Sequence, residues 1–366
     1  MAILSNLHLV DNDNHPAGRL YKVNPFIHMM RRTFDVYSPE ETLSFDEGMC
    51  TFKGRVKFRV YNPNKPHKFG IKLYQVCEAS SGYCLGFDIY SGEEGCELFS
   101  EAVDLDADST KTVVGLLAYC GLLSKGHKIY MDNYYTSPEF FTALDFLETY
   151  ACGTLRRNRK LVPKAFEQIK LRKGDAIFRR MDNLLALKFK DKRDVHMLSS
   201  FHEAKIVITD KTDRNGEPVW KPAMNVAYCK NMGGVDLNDQ ICQYYDVLRK
   251  SVKWWKTLFF HLLNMVIVNA YVLYRKYGNA GKRRTHQNFR GALIRALIEE
   301  SADAPTPHRG RGRKGEPLPR LTERHFPAFN IYLLILSTYT PQSDMLAVEL
   351  QLLVVFCCNV FVWVFW

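Results

Sequence analysis

The sequence predicts an α/β protein built around a mixed sheet, and three observations carry that expectation. From Phe69 onward, apolar and polar residues alternate through "FGIKLYQVCEA" and "YCLGFDIYSG", separated by "SSG". Period-two runs joined by a tight Gly-containing turn form an antiparallel hairpin. Helical and strand patterns then follow in turn, so the order is strand, strand, helix, strand, helix, strand, the signature of an α/β unit. The chain has 366 residues, 46% of them hydrophobic, enough to bury a sizeable core and to exclude disorder throughout.

Each element has a local reason. Asn24 and Pro25 suit the N-cap and first turn of a helix whose Ile27, Met30 and Phe34 share one face. "SPEE" at 38–41 reads as a capping box for another, so residues 1–69 are expected to be peripheral helices and irregular chain. Val113, Val114, Leu117 and Cys120 lie at helical spacing within 109–125, with Gly126 as the stop. "HKIYMD" and "YACGTLR" read as strands, and Ser137-Pro138 opens the helix between them. After the glycine pair Gly233-Gly234, "VDLNDQICQYYDVLRK" and "SVKWWKTLFFHLLNMVIVNAYVLYRKYG" read as helices. The second is apolar enough to raise the question of a membrane, but His261, Asn264 and Asn269 interrupt it, so a buried helix packed on the sheet is expected.

Charge is uneven along the chain. The formal net charge is +11, which favours a polyanionic partner such as nucleic acid. Residues 153–190 hold 12 Lys and Arg against 3 Asp and Glu, with aromatic residues interleaved, and read as a basic module. Residues 303–320 are a Pro/Gly/Arg linker. Residues 350–366 are almost wholly apolar and leave three readings open: a tail anchor, a segment docked on the core, or sequence foreign to the ancestral domain. The ten cysteines are scattered without a C-x-x-C pair, which predicts buried thiols in a reducing compartment and no zinc site. The N-terminus shows no signal-peptide pattern.

Four carboxylates then invite attention. Glu78 ends the first strand of the hairpin, Asp132 ends "KIYMD", and Asp236 and Asp239 stand three apart at a helix start, on one face. Carboxylates that gather repel one another unless a cation lies between them, and oxygen donors suit a hard divalent ion. Spacing alone equally fits helix-dipole and capping roles for the two helical aspartates.

The stretches "LSFDEGMCTFKGR", "KPHKFGIKLYQVCEASSGY", "YMDNYYTSPEFF", "CGTLRRNRK", "MGGVDLNDQ" and "KWWKTLFFHLLNM", in that order across residues 17–328, resemble the piggyBac transposases and the host proteins derived from them. The resemblance implies a ribonuclease-H-like domain split by an insertion, with a helical dimerisation and DNA-binding domain beside it. It also implies DNA strand cleavage and transfer at TTAA targets, using Mg²⁺ or Mn²⁺. The family's catalytic aspartates fall on Asp132 and Asp236, with Asp239 as an additional acidic position. The first acidic position is read onto Glu78, a departure that lengthens the side chain by a methylene, and Asp88 is a poor substitute for it. The metal set is then Glu78, Asp132 and Asp236. Arg156, Arg157, Arg159 and Lys160 are placed to contact DNA phosphates.

The expected organisation follows. Residues 1–69 are the remnant of a helical dimerisation and DNA-binding domain. Residues 70–157 and 223–245 form the catalytic domain around a basic insertion at 158–222, and 246–302 are helical. Residues 303–328 are linker and 329–366 a hydrophobic tail outside the resemblance, which also lacks the family's longer N-terminal region and its Cys-rich terminal module. The expected partners are double-stranded DNA and a second copy of the chain, with no small-molecule substrate. The expected location is the nucleus, with membrane attachment through 350–366 as the alternative. An active transposase and a catalytically inactive DNA- or chromatin-binding derivative both remain open at this stage.

Overall fold

The computed structural model describes residues 7–303 apart from 12–16, 35, 64, 66, 93–95, 97, 99–107, 163–165, 167, 247–250 and 279–283. The linker and the apolar tail lie outside the described residues. The chain divides into two compact units: residues 31–257, and a helical unit made of residues 1–30 with those from 258 onward.

The elements in chain order are α1 (Asn24–Phe34), β1 (Thr42–Thr51), β2 (Val60–Tyr61), β3 (Phe69–Glu78), β4 (Cys84–Ile89), α2 (Asp108–Tyr119), β5 (Lys128–Met131), α3 (Pro138–Phe146) and β6 (Tyr150–Thr154). These are followed by β7 (Ala176–Met181), β8 (Leu184–Lys190), β9 (Asp194–Ser199), β10 (Ile206–Thr212), β11 (Pro218–Pro222), α4 (Ala223–Asn231), α5 (Gly234–Tyr244), α6 (Trp254–Tyr277) and α7 (His286–Asp303). One mixed sheet runs β2-β3-β1-β5-β6-β9-β8-β7, with β4 also on β3, and β10 and β11 form a separate hairpin. The β3–β4 hairpin, α3 with its Ser137 cap, β5 and β6 are where the sequence puts them. The Ser137 hydroxyl accepts from Phe140 N at 3.2 Å.

Three expectations are corrected. Residues 38–41 open no helix: they lead straight into β1, which lies between β3 and β5. The groups a capping box would use are engaged elsewhere. Glu40 N donates to Glu78 Oε1 at 2.9 Å, and Glu41 pairs with Lys128 at 2.7 Å. β1 is buried on both faces, with Leu43, Ser44 and Phe45 all inaccessible, which is why it lacks the clean alternation that marks a half-exposed strand. The second correction is the end of α2, which stops at Tyr119 because Gly121 takes a φ of 59°, a left-handed conformation that glycine adopts without strain.

The third concerns the basic segment. Within 158–222, β7, β8 and β9 continue the sheet, β9 pairing antiparallel with β6 through Cys152↔Ser199 and Thr154↔Met197. Leu185, Leu187, Phe189 and Met197 form an apolar cluster with Tyr130, Cys152 and Met224. Of the basic residues in 153–190, only Arg179, Arg180, Lys188 and Lys190 lie on these strands; the others fall between β6 and β7.

In the helical unit, α6 is buried against neighbouring helices. Phe26 of α1 meets Phe259 at 4.5 Å, and Phe289 of α7 lies 5.2 Å from Tyr274. Arg290 donates to the Asn264 side-chain oxygen and, at 2.9 Å, to His286 Nε2. α6 is long and apolar enough to cross a membrane, yet 83% of its most apolar window is buried inside the protein. The polar residues His261, Asn264 and Asn269 within it are buried as well. Among the described residues the cysteines form no disulfide, and Cys50, Cys77, Cys84, Cys152 and Cys242 are buried.

A buried ion pair ties α1 to β4. The Arg31 guanidinium donates to Asp88 Oδ1 at 2.9 Å and to Phe87 O at 3.3 Å, with both charged side chains almost inaccessible. Asp88 is thus committed to a structural contact. Removing one partner of such a pair strands a buried charge, so Arg31→Met is expected to cost about 3–5 kcal/mol, whereas Arg31→Met with Asp88→Leu recovers most of it. Urea denaturation of the two variants reads this directly; equal losses in both would refute it.

Candidate active site

The site is organised by the pairing of β1 with β5. The two strands run parallel, with Ser44 opposite Tyr130 and Phe45 opposite Met131. One residue beyond that last pair, Asp46 and Asp132 stand side by side at the carboxyl end of β5. Successive side chains of a strand point to opposite faces, so Ser44 and Asp46 share one face, and Tyr130 and Asp132 point the same way on the neighbour.

That face is the one α5 covers. Val235 N donates to Ser44 Oγ at 3.1 Å, and Asn238 Nδ2 donates to Gly82 O in the β3–β4 turn at 2.8 Å. These two bonds pin the first turns of α5 over β1 and β3. Gly234 is required for the approach, since a Cβ there would lie 2.9 Å from Glu78 O and 3.1 Å from Ala79 Cα. The backbone at Gly233, with φ of −80°, is ordinary. The glycine pair therefore serves closeness to the strands. Asp236 and Asp239 follow on the docked helix, Asp236 largely exposed at 71% and Asp239 half-buried.

The loop after β5 is braced on both sides. Tyr134 N donates to Asp132 Oδ1 at 2.8 Å, and Thr136 Oγ1 donates to Asp132 O at 2.8 Å. Arg156 Nε donates to Asn133 Oδ1 at 3.0 Å, and its guanidinium lies 5.5 Å from the Tyr134 ring centre. Arg159 donates to Asn133 O at 3.2 Å and Tyr134 O at 2.5 Å. Arg157 pairs with Asp194 at 3.7 Å, and Lys160 is exposed. Arg156 and Arg159 are therefore fixed beside Asp132, and Arg157 and Lys160 lie further out.

Glu78 is set apart from these groups. It is fully buried and pairs in register with Leu43, three residues from Asp46 on β1. It faces the opposite side of the sheet, where Tyr37 OH donates to it at 2.7 Å and Glu40 N at 2.9 Å. The Ser81 hydroxyl also donates to it. A carboxylate so thoroughly satisfied is a structural anchor joining the 37–40 segment to the hairpin turn. The residue that sequence reasoning missed is Asp46. Its signal, the "FDEG" acidic pair, lay in a stretch read as irregular, and only the strand register places it level with Asp132, one residue past the Phe45–Met131 pair.

Burial dominates the electrostatics. The Asp46 carboxyl is held well above the usual carboxylate range, first by burial and then by the hydrogen bond that its protonated form donates to the Glu47 side chain. Glu47 itself accepts from Tyr135 OH at 2.6 Å. Asp132 is raised by burial, against the opposing pull of the Tyr134 N–H and Arg156. Asp239 is pushed by burial from 3.8 to about 7. Lys65 offsets part of this. Its Nζ donates to Glu47 O at 3.1 Å and lies 3.8 Å from Asp236 Oδ1. Among the described residues, no group of three or more His, Cys, Asp or Glu side chains is closed tightly enough to hold an ion as it stands.

The raised Asp239 has a definite pH signature. The folded chain holds its proton where the unfolded chain has lost it, so this contribution is full below pH 3.8 and is lost as pH rises to about 7. In a chelator-containing buffer, Asp239→Asn is expected to remove that decline. Parallel stability curves for the two proteins across this window would contradict the assignment.

A family model described as transposase IS4 matches residues 1–271. The human PiggyBac transposable element-derived protein 2 is 26% identical over 288 residues, 75% of this chain and 47% of that protein. The human PiggyBac transposable element-derived protein 5 is 22% identical over 325 residues, 83% of this chain and 60% of that one. The chain thus spans about half to three-fifths of the length of these curated relatives. Its fold matches that of the piggyBac transposase in a synaptic complex with hairpin DNA, solved by cryo-electron microscopy, with a TM-score of 0.69 at 21% identity, over 94% of this chain and 73% of that one. With the model spanning most of the chain and relatives and fold of one kind, this chain belongs to the transposase IS4 family, among its piggyBac members.

Proposed function

We propose that this chain carries the catalytic core of a piggyBac-like DNA transposase, with Asp46, Asp132 and Asp236 as its acidic centre. One observation carries the reading. Asp46 within β1 and Asp132 just past β5 both follow the last parallel pair, Phe45 and Met131, and the aspartate-bearing turn of α5 is bonded to the same face.

The donor set suits a hard divalent cation such as Mg²⁺ or Mn²⁺: carboxylate oxygens, strained by burial, with an ammonium already standing among them. Asp46, Asp132 and Asp236 would hold it, with Asp239 behind them. Such an ion, when bound, stabilises the attacking and leaving oxygens of a phosphodiester displacement.

The chain's own residues do the rest. Tyr134 N and the Thr136 hydroxyl hold Asp132 and its loop in place, so the carboxylate needs little reorganisation when charge develops. Arg156 and Arg159, fixed next to that loop, are placed for phosphate oxygens, and Arg157 and Lys160 extend the basic surface along a duplex. The structural relative's synaptic complex with hairpin DNA supports DNA as the partner, and cleavage and transfer at TTAA is the reaction that the family resemblance implies. A homodimer and a nuclear location follow as parts of the same proposal. The inactive DNA-binding alternative drew in part on a glutamate at the first acidic position. With Asp46 beside Asp132, that departure no longer argues for it.

An excision assay on matched transposon ends tests the assignment. Asp46→Asn and Asp132→Asn are each expected to lower product on the order of 10³-fold, the scale of losing one transition-state stabiliser, with folding intact by circular dichroism. Glu78→Gln, assayed where it remains folded, is expected to stay within about tenfold of wild type, because it acts only on stability. A folded Glu78→Gln protein as inactive as Asp132→Asn would return the first acidic role to Glu78. Equal product from Asp132→Asn and wild type would remove the catalytic reading.

A further inference from the structure

Lys65 lies between β2 and β3, in the segment that leads back toward the carboxylates. Its ammonium accepts nothing and can only donate. One donation goes to the backbone oxygen of Glu47, at 3.1 Å, and the next nearest charge is Asp236 Oδ1, at 3.8 Å. Its field also reaches Asp46 and Asp239, drawing both against the push of burial. A single cation thus serves carboxylates from β1 and from α5. The Lys65 side chain is only 27% exposed whereas that of Asp236 is 71% exposed, so the ammonium sits on the protein side of the cluster.

We propose that Lys65 is the resident counter-cation of the acidic centre, and that a divalent ion loads only when the ammonium leaves, drawn off by an incoming DNA phosphate. The inference rests on the metal-dependent reading given above. Two cations cannot occupy neighbouring positions in a half-buried site without strong repulsion. The lysine stem is long and flexible, so its head can swing from carboxylate to phosphate at small conformational cost. Without DNA the site is neutralised from within and binds metal weakly. With DNA the phosphate takes the ammonium, and the carboxylates are released to the ion. Metal loading becomes coupled to substrate, which keeps an unengaged protein from cutting.

Calorimetric titration of the full chain with Mn²⁺, with and without a saturating short duplex, tests this. Wild type is expected to bind Mn²⁺ about tenfold more tightly with the duplex than without. Lys65→Met is expected to bind about tenfold more tightly than wild type without DNA and to gain little from it. Lys65→Arg, which keeps the charge, should behave as wild type. Lys65→Met affinity equal to or weaker than wild type overturns the proposal, as does wild-type affinity indifferent to the duplex. Asp132→Asn separates the two levels of inference. If wild type binds no more Mn²⁺ than Asp132→Asn under either condition, the metal-dependent reading fails and this proposal with it.

Discussion

Parallel pairing of β1 with β5 is the constraint on which the rest of the structure depends. It aligns Phe45 with Met131, so the residues that follow, Asp46 within β1 and Asp132 at the carboxyl end of β5, lie level with each other and on one face. A shift of one residue would send either carboxylate to the other face. The register is protected by what surrounds it: Leu43, Phe45, Ile129 and Met131 are all inaccessible, and each would have to leave its place for the pairing to slip. The same pairing sets the docking of α5, because Ser44, which receives Val235 N, is two residues from Asp46 on the same side of the strand.

The buried acids sort into two kinds by how well the protein satisfies them. Glu78 accepts from Tyr37, Glu40 N and Ser81, and Asp88 is held by Arg31 and by the backbone N–H of Leu98 at 2.8 Å. Both act as cross-links between distant segments. Asp46, Asp132 and Asp239 receive less than their burial demands, and all three are raised as a result. Acids kept under-satisfied cost stability and persist where something else is to be bound. Both burial and hydrogen-bond partners separate the groups: Glu78 and Asp88 are inaccessible, whereas Asp46, Asp132 and Asp239 are half-buried.

The basic segment illustrates how composition and architecture diverge. Its charge excess reads as a separate module, yet β7, β8 and β9 extend the sheet that begins with β1. Both hold because most of the basic residues lie between β6 and β7, while the strands that follow bury Leu185, Leu187, Phe189 and Met197 in the sheet's core. Continuity with the sheet also explains why Arg156 and Arg159 are placed so firmly: they follow β6 directly, and β6 pairs in parallel with β5. Arginines braced against the Asn133 side chain and the Asn133 and Tyr134 carbonyls, beside a carboxylate, form a pre-set phosphate contact more readily than arginines on a free lobe.

The amino-acid sequence by itself determined the α/β class, the β3–β4 hairpin, the capped helix α3, the helical runs of α5 and α6, and the family. These follow from local periodicity, from caps and turns, and from ordered motifs. It could not give β1, because a strand buried on both faces has no period-two pattern, and so it passed over Asp46 in favour of Glu78 at the end of a more legible strand. Which acids meet was decided only by the tertiary structure. Strand pairing and register act between segments far apart in the chain, and no local pattern records which residue stands opposite which.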